Sequence, residues 1–475
     1  MATSNKGRSD LRRLIDLERG TVSREIFISQ DVYDQEIERI FLRSWLFVGH
    51  ESQVRNPGDF FVSRMGEESV ILTRDNERKV HVFLNTCRHR GMKVCRYSEG
   101  NTAHFMCPYH GWRFGTDGKL VGVPYWGEAY EGIMDRSEWA LIEVAQMCVY
   151  KGGVWATWDP DAPSFKDYLG GMIHYLDALM DCRDGRAGGS EVIGGVVKWT
   201  VPCNWKFPAE NFMGDMTHGH VSHLSAEKAG VGPGGVIGQF RQGTERNRRA
   251  QGQTSFPELG HGVRGAPLGV EEKYPFPKFE VPVGPLDNMP VVEEYFRHVY
   301  EERKKRLADR PVTWAGGHVF PNTAYHALFP RGIGVLHPAG PDKTEMWRWC
   351  LVDADAPKEV KDLTRHHFMR YAGPAGLVEQ DDMENWIYAH KASRGVIAKR
   401  YPYNYQMGIG HTIPVQGSRG AVTVGTHSEE NARTLYRRWL QLMESGNQGD
   451  RKAARRGASD HGSQRSKSPA GQKTR

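Results

Sequence analysis

Two short pairs of residues carry the clearest chemistry in the chain. Cys87-Arg88-His89 is followed, after seventeen residues, by Cys107-Pro108-Tyr109-His110. Each pair supplies one thiolate and one imidazole. A zinc finger usually groups a cysteine pair and then a histidine pair. Mixed pairs suit a [2Fe–2S] cluster with two thiolates on one iron and two imidazoles on the other. Exchanging thiolates for neutral imidazoles raises the reduction potential above that of a four-cysteine cluster. Gly91 and Gly111 follow the pairs closely, allow tight turns, and bring backbone amides toward the sulfurs. A mixed-ligand zinc site is the competing reading. Cys95 has no partner at ligand spacing and is expected to be a small buried apolar residue.

A second constellation lies downstream, from Glu210-Asn211 through Asp215 and His218 to His223. Non-heme Fe(II) sites use two histidines and one carboxylate on one face of an octahedron, leaving the other positions open. His218 and His223 are five residues apart, so on a regular α-helix they diverge by roughly 140°. The helix must widen into a π-like turn or end between them. Asp215, three residues before His218, is expected on the same face. His220 is expected to point away, as a pocket-lining or surface residue. The third ligand should be a distant carboxylate, and the acidic cluster within Gly373–Trp386 supplies candidates. An acidic cluster at a helix start is, by itself, more often a solvated capping feature.

Taken together, Cys87-Arg88-His89-Arg90-Gly91 with Cys107-Pro108-Tyr109-His110-Gly111-Trp112, the Asp215–His223 segment and Glu379-Gln380-Asp381-Asp382 resemble the large (α) subunits of the Rieske non-heme iron aromatic-ring-hydroxylating dioxygenases, naphthalene-type enzymes in particular. The resemblance runs from about Thr21 to Glu444. It implies an α+β fold, with a β-rich Rieske [2Fe–2S] domain inserted in a helix-grip (START-like) catalytic domain built on an antiparallel sheet. Cys87, His89, Cys107 and His110 would hold the cluster. His218, His223 and Asp382 would hold a mononuclear Fe(II), with Asp381 as runner-up for the carboxylate. Asn211 matches a residue close to the iron. Asp215 matches a carboxylate that links His110 of one subunit to His218 of the next, within a homotrimer often completed by three small β subunits. Thr217 is a departure, because many members carry Tyr there.

The implied reaction is cis-dihydroxylation of an aromatic ring by O₂. No Gly-rich strand-to-helix turn offers a dinucleotide site in this chain, so the electrons of NADH must arrive through a separate flavin reductase, a ferredoxin, or both. Ala372 and Val378 stand where naphthalene-type enzymes often carry aromatics. That favours a large substrate, polycyclic hydrocarbons included, unless neighbouring side chains fill the space. No arginine stands out as a carboxylate clamp, although the Arg-rich segment Gly230–Gly269 could hide one. The competing functions are a Rieske monooxygenase such as an O-demethylase, a pure electron carrier, and a zinc-stapled interaction module. A carrier needs only the small β domain, which the rest of this chain exceeds by far.

The elements that must position these residues can be read more coarsely. The segment Val22–Phe47 has helical spacing at Ile37, Ile40, Phe41 and Leu46. Short β-rich runs fill Gly58 to about Asp159, among them 60–62, 69–72, 79–84 and 152–158, separated by turn signals. Later strand texture covers 194–201, 332–337 and 345–352, and helical texture covers 290–306 and 360–371. Gly230–Gly269, rich in Gly, Pro, Gln and Arg, is expected to be a long loop. The expected divisions are 1–43, an N-terminal part of the catalytic domain; 44–160, the Rieske domain; 161–444, the catalytic domain; and 445–475, a basic disordered tail.

Composition sets the outer bounds. A chain of 475 residues with 39% hydrophobic and 25% charged content can bury several cores. Seven scattered cysteines do not form a disulfide scaffold. The net charge of +6 is matched by the eight Lys/Arg and two Asp after Ser445, so the body is near neutral and shows no nucleic-acid-binding face. The tail's plainer reading is a solvated end. No secretion signal or membrane-length apolar run is present, and a cytoplasmic protein is expected.

Overall fold

The computed structural model describes residues 11–215, 217–229, 251–267, 290–306, 316–327, 330–413, 420–424 and 427–445. The basic tail, from residue 446, falls outside them.

The strands between Leu46 and Thr157 build a small β domain. A three-stranded sheet pairs Leu46–His50 with Gly153–Thr157, and Gly153–Thr157 with Gln146–Tyr150. The first and last strands of the domain thus lie side by side, so the chain leaves and re-enters at one place. A four-stranded sheet orders Val80–Leu84, Glu68–Arg74, Asp59–Met65 and Glu99–Asn101. A three-stranded sheet orders Leu120–Gly122, Arg113–Gly115 and His104–Met106. Their shared core holds Phe60, Ile71, Phe105, Trp112 and Phe114 together with Cys87, Cys95 and Cys107. Cys95 is buried there, as expected of a small apolar residue.

The larger domain is built on a nine-stranded antiparallel sheet. Its order is Ser190–Val201, Thr344–Asp353, Gly332–Pro338, Thr323–His326, Gly316–Val319, His261–Pro267, Gln251–Phe256, Ala421–Val424 and Thr412–Ile413. Side chains alternate between the two faces of a strand, and Thr344–Asp353 shows the consequence. Trp347 and Trp349 face the β domain, where Phe61 and Phe47 meet them edge-on. Met346, Arg348 and Cys350 face the other way, toward the helix layer. That layer contains Lys206–Gly214, Leu377–Ser393 and a last helix over 430–445.

The N-terminal segment belongs to this larger domain. Thr21–Val22 pairs with Tyr403–Asn404. Glu36 is fully buried and accepts hydrogen bonds from Lys206 Nζ at 2.5 Å, Trp205 Nε1 at 2.8 Å and Trp439 Nε1 at 2.6 Å. One carboxylate therefore ties the N-terminal segment, the start of Lys206–Gly214 and the last helix together, and a buried charge is tolerable only when satisfied in this way. The β domain is an insertion in a helix-grip catalytic domain.

Two expectations about elements need correction. The helix expected over 22–47 is broken: Arg24–Phe27 is a 3₁₀ turn, Gln30–Glu36 is α-helical, Ile37–Phe41 is a π turn, and Leu46 already lies in a strand. The long loop expected over 230–269 contains two strands of the main sheet, Gln251–Phe256 and His261–Pro267. Their buried positions mix polar Gln253, Thr254, Ser255 and His261 with apolar Phe256 and Val263, so no apolar alternation marks them. Residues 230–250 of that segment lie outside the described ones.

Candidate iron centres

The two Cys/His loops are near copies of each other. Cys87 N–H donates to Met92 O at 2.8 Å, and Gly91 N–H to Cys87 O at 2.9 Å. In the second loop, Cys107 N–H donates to Trp112 O at 2.8 Å, and Gly111 N–H to Cys107 O at 3.0 Å. Gly91 and Gly111 have φ of 73° and 72°, the left-handed conformation that closes both turns. The rings of His89 and His110 lie 4.5 Å apart, and His89 stacks on Trp112 at 4.9 Å. Burial and the neighbouring Cys107 sulfur push the Cys87 thiol up, against the pull of the His89 and Arg90 backbone amides. Two buried sulfurs side by side, with amides aimed at one of them, suit thiolates neutralised by iron. Cys87 and Cys107 are buried, whereas Tyr109, stacked on His110 at 3.7 Å, is exposed.

The second group gathers on the helix layer. The helix Lys206–Gly214 stops at Gly214, and Asp215 is extended. His218–His220 is a 3₁₀ turn, followed by the short helix Leu224–Lys228. The expected helix through His218 does not form: the α-helix ends at Gly214, before both histidines, and an irregular turn with a short 3₁₀ piece carries both rings inward. Asp215 does not share a helical face with His218. It caps the turn instead, its Oδ1 accepting from Thr217 N at 2.9 Å and Thr217 Oγ1 at 2.8 Å. Thr217 thus serves Asp215. The backbone of His220 lies in the turn, and its side chain is outside the described ones.

His218, His223 and Asp382 offer one donor atom each to a common point. His218 Nε2 is 3.1 Å from His223 Nε2 and 3.1 Å from Asp382 Oδ1, and His223 Nε2 is 3.3 Å from the same oxygen. Three donors on one octahedral face, each about 2.2 Å from a metal, stand about 3.1 Å apart. Asp382 Oδ1 is also buried without a well-aligned hydrogen-bond donor. Two imidazole nitrogens facing each other and an orphaned carboxylate oxygen repel unless a cation lies among them, so this donor set fits a divalent iron. Burial would raise the Asp382 carboxyl, but the two imidazoles outweigh it and hold it well below the usual carboxylate range. Burial likewise lowers His218, but Asp215 and Asp382 push it up to about 10.

Each histidine is backed by a carboxylate. Asp215 Oδ2 is 3.3 Å from His218 Nδ1, and Asp381 Oδ2 is 3.4 Å from His223 Nδ1. Of the two carboxylates in the acidic cluster, Asp382 faces the donor point and Asp381 stands behind His223. Sequence reasoning weighed Asp381 only as an alternative ligand. Its signal was adjacency to a ligand, but which aspartate turns inward depends on how Leu377–Ser393 packs. Asn211 is buried, with an unpartnered Nδ2, and lines with Asp215, His218, Trp386 and Tyr405 a cavity of about 450 Å³. Ala372 is buried in a cluster with Cys350 and Phe368, and Val378 is also buried.

Comparison with known proteins agrees with both centres. The Rieske [2Fe–2S] domain family matches residues 44–134. The ring-hydroxylating α subunit catalytic domain family matches residues 180–445. The chain is 38% identical over 442 residues to the biphenyl dioxygenase α subunit of Paraburkholderia xenovorans, covering 91% of this chain and 93% of that one. It is 36% identical to the benzene 1,2-dioxygenase α subunit of Pseudomonas putida, over 92% and 94% of the two chains. The crystal structure of naphthalene 1,2-dioxygenase from Rhodococcus sp. bound to indole superposes with a TM-score of 0.77 at 33% identity, covering 92% of this chain and 99% of that one. Among the described residues, no helix is long and apolar enough to cross a membrane. Since a cluster-binding domain and a ring-hydroxylating domain follow one another here, and these relatives align over nine-tenths of the chain, the chain belongs to the α subunits of the Rieske-type aromatic-ring-hydroxylating dioxygenases.

Proposed function

We propose that this chain is the terminal oxygenase of a multicomponent system that cis-dihydroxylates an aromatic ring, with residues 44–160 as its electron-receiving domain. The observation that carries the reading is the triangle of His218, His223 and Asp382 donors, 3.1 to 3.3 Å on a side. Cys87, His89, Cys107 and His110 would hold the [2Fe–2S] cluster, and the triangle would hold Fe(II). When bound, the two centres supply one-electron transfer and the reduction of O₂. The rest is the work of the chain. Asp381 accepts from the Nδ1–H of His223, and the Asp215 carboxylate stands 3.3 Å from His218 Nδ1 as a charge partner, so the two carboxylates orient the two rings. Asn211 keeps an amide donor without an acceptor beside the site. Phe212 and Trp386, with rings 5.8 Å apart, form an apolar wall that excludes water.

The Asp215 side chain is 42% exposed, although it touches His218. His110 lies beside exposed Tyr109, on the surface of the β domain. A carboxylate at the surface beside one centre, and an imidazole near the surface at the other, suit contact between neighbouring subunits. We read the assembly as a head-to-tail homotrimer, completed by small β subunits and served by a reductase or ferredoxin in the cytoplasm. The test is turnover of the reconstituted system with ¹⁸O₂ and an aromatic substrate. Two labelled oxygens in a cis-dihydrodiol support the reading; release of formaldehyde from a methoxylated ring, with no diol formed, points to an O-demethylase.

A further inference from the structure

Resting on that reading of the site, we propose that the ring this enzyme takes carries a carboxylate, and that Arg264 receives it. The argument begins with the sheet. Arg264 pairs across the strands with Gly316, and Arg348 with Gly334. By alternation, Gly262 and Arg264 share a face, and a side chain at Gly262 would meet Met213 of the helix Lys206–Gly214. This face is therefore the one that looks toward the iron-site helices. The glycines opposite the two arginines make a flat floor. A Cβ at Gly316 would lie 3.0 Å from Arg264 Nε, and one at Gly334 would collide with the Arg348 guanidinium. Both guanidinium groups converge on one ring, with Arg348 Cζ 4.4 Å and Arg264 Cζ 6.0 Å from the centre of Phe212.

The two arginines differ in what balances their charge. Arg348 is buried and paired with Glu379, whose other oxygen accepts the Gly373 N–H. The remaining inward carboxylate, Asp382, is turned to the histidines. Arg264 is half-buried and has no carboxylate partner among the described residues. Its neighbours are not anions: Tyr371 OH lies 3.4 Å from His326 Nε2, while His326 Nδ1 faces Pro330 O at 3.3 Å. The positive charge of Arg264 bears on both of these groups, and Tyr371 and Arg348 also feel the Asp382 carboxylate. A forked cation with no carboxylate partner among the described residues, beside the Phe212 ring and sharing Tyr371 and Arg348 as neighbours with Asp382, gains nothing from a hydrocarbon. It matches a planar carboxylate through two parallel N–H donors. The ring would lie along Phe212, with the carboxylate toward the sheet and the reacting edge toward the metal ligands.

The experiment uses the holoenzyme with its electron-transfer partners. Turnover of benzoate and phthalate is compared with that of naphthalene and biphenyl, for the native protein, Arg264→Gln and Arg264→Lys. Calorimetric titration of the same rings without O₂ reads binding alone. The native enzyme is expected to favour a carboxylated ring. Arg264→Gln should raise KM for that ring by about 30-fold or more, leave kcat within a few-fold, and change KM for neutral rings far less than for the carboxylated ring. Arg264→Lys should recover part of the loss. Dihydrodiols from neutral rings only, which the native protein alone can show, would overturn the inference and leave the dioxygenase reading intact. A reducible cluster with no product from any ring would instead defeat the dioxygenase reading.

Discussion

Asp381 Oδ2 stands 3.4 Å behind His223 Nδ1, in the same relation that Asp215 Oδ2 holds to His218 Nδ1 at 3.3 Å. Each metal-facing imidazole is thus braced from its far side by a different part of the chain. Asp381→Ala should therefore weaken iron binding by about 10- to 100-fold while leaving the cluster in place. Chelator competition monitored by iron content measures this. Unchanged iron retention would mean that His223 is oriented by something else.

Asp215 is more exposed than Asp381, 42% against 24% of the side chain. If it also serves a neighbouring subunit, Asp215→Asn should cut product formation far more than it cuts iron retention. Comparing steady-state rate with iron per chain separates the two effects. Parallel losses would reduce Asp215 to a brace for His218.

The twin cluster loops allow a sharper comparison. Gly91 and Gly111 share a left-handed φ, so alanine at either costs about 1 to 2 kcal/mol of backbone strain. A Cβ at Gly91 meets nothing within 4 Å, whereas one at Gly111 lies 3.0 Å from Pro124 Cγ. Gly111→Ala should lose more cluster than Gly91→Ala, as read by visible absorbance per chain. The reverse order would contradict the geometry of these loops.

Much of this was legible in the sequence, and the limits have physical causes. Residue type and spacing picked out both candidate groups, and the structure brings His218 and His223 together with Asp382. The choice between Asp381 and Asp382 depends on the rotation of Leu377–Ser393 against its neighbours, which no local pattern encodes. The strands Gln251–Phe256 and His261–Pro267 were hidden because polar Gln253, Thr254, Ser255 and His261 are buried beside only two apolar side chains, Phe256 and Val263. Gln253 Nε2, for example, is satisfied by Gly214 O at 2.8 Å and Ser428 O at 2.9 Å. Arg264 was invisible for the same reason, since only strand pairing turns it inward. The π turn at Ile37–Phe41 likewise keeps the apolar spacing of a helix while changing its geometry.

Glu210 gives the protein a pH dependence. Burial pushes its carboxyl up to about 8, against the hydroxyls of Tyr436 and Tyr405, which donate to its Oε2. The folded state then holds this proton more tightly than the unfolded chain does. Between about pH 4.5 and pH 8, the contribution of Glu210 to stability falls as pH rises. Glu210→Gln should flatten that part of the stability–pH profile, as measured by denaturant unfolding at several pH values. An unchanged slope would assign the dependence to other groups.

The central claim is that one chain carries two separate iron centres, with Asp382 completing only the second. Metal and acid-labile sulfide analysis of purified Asp382→Ala, alongside the visible spectrum and product formation, tests it directly. The account predicts full sulfide, an intact red-brown cluster spectrum, loss of one iron per chain and no product. Full iron content with undiminished turnover would contradict it.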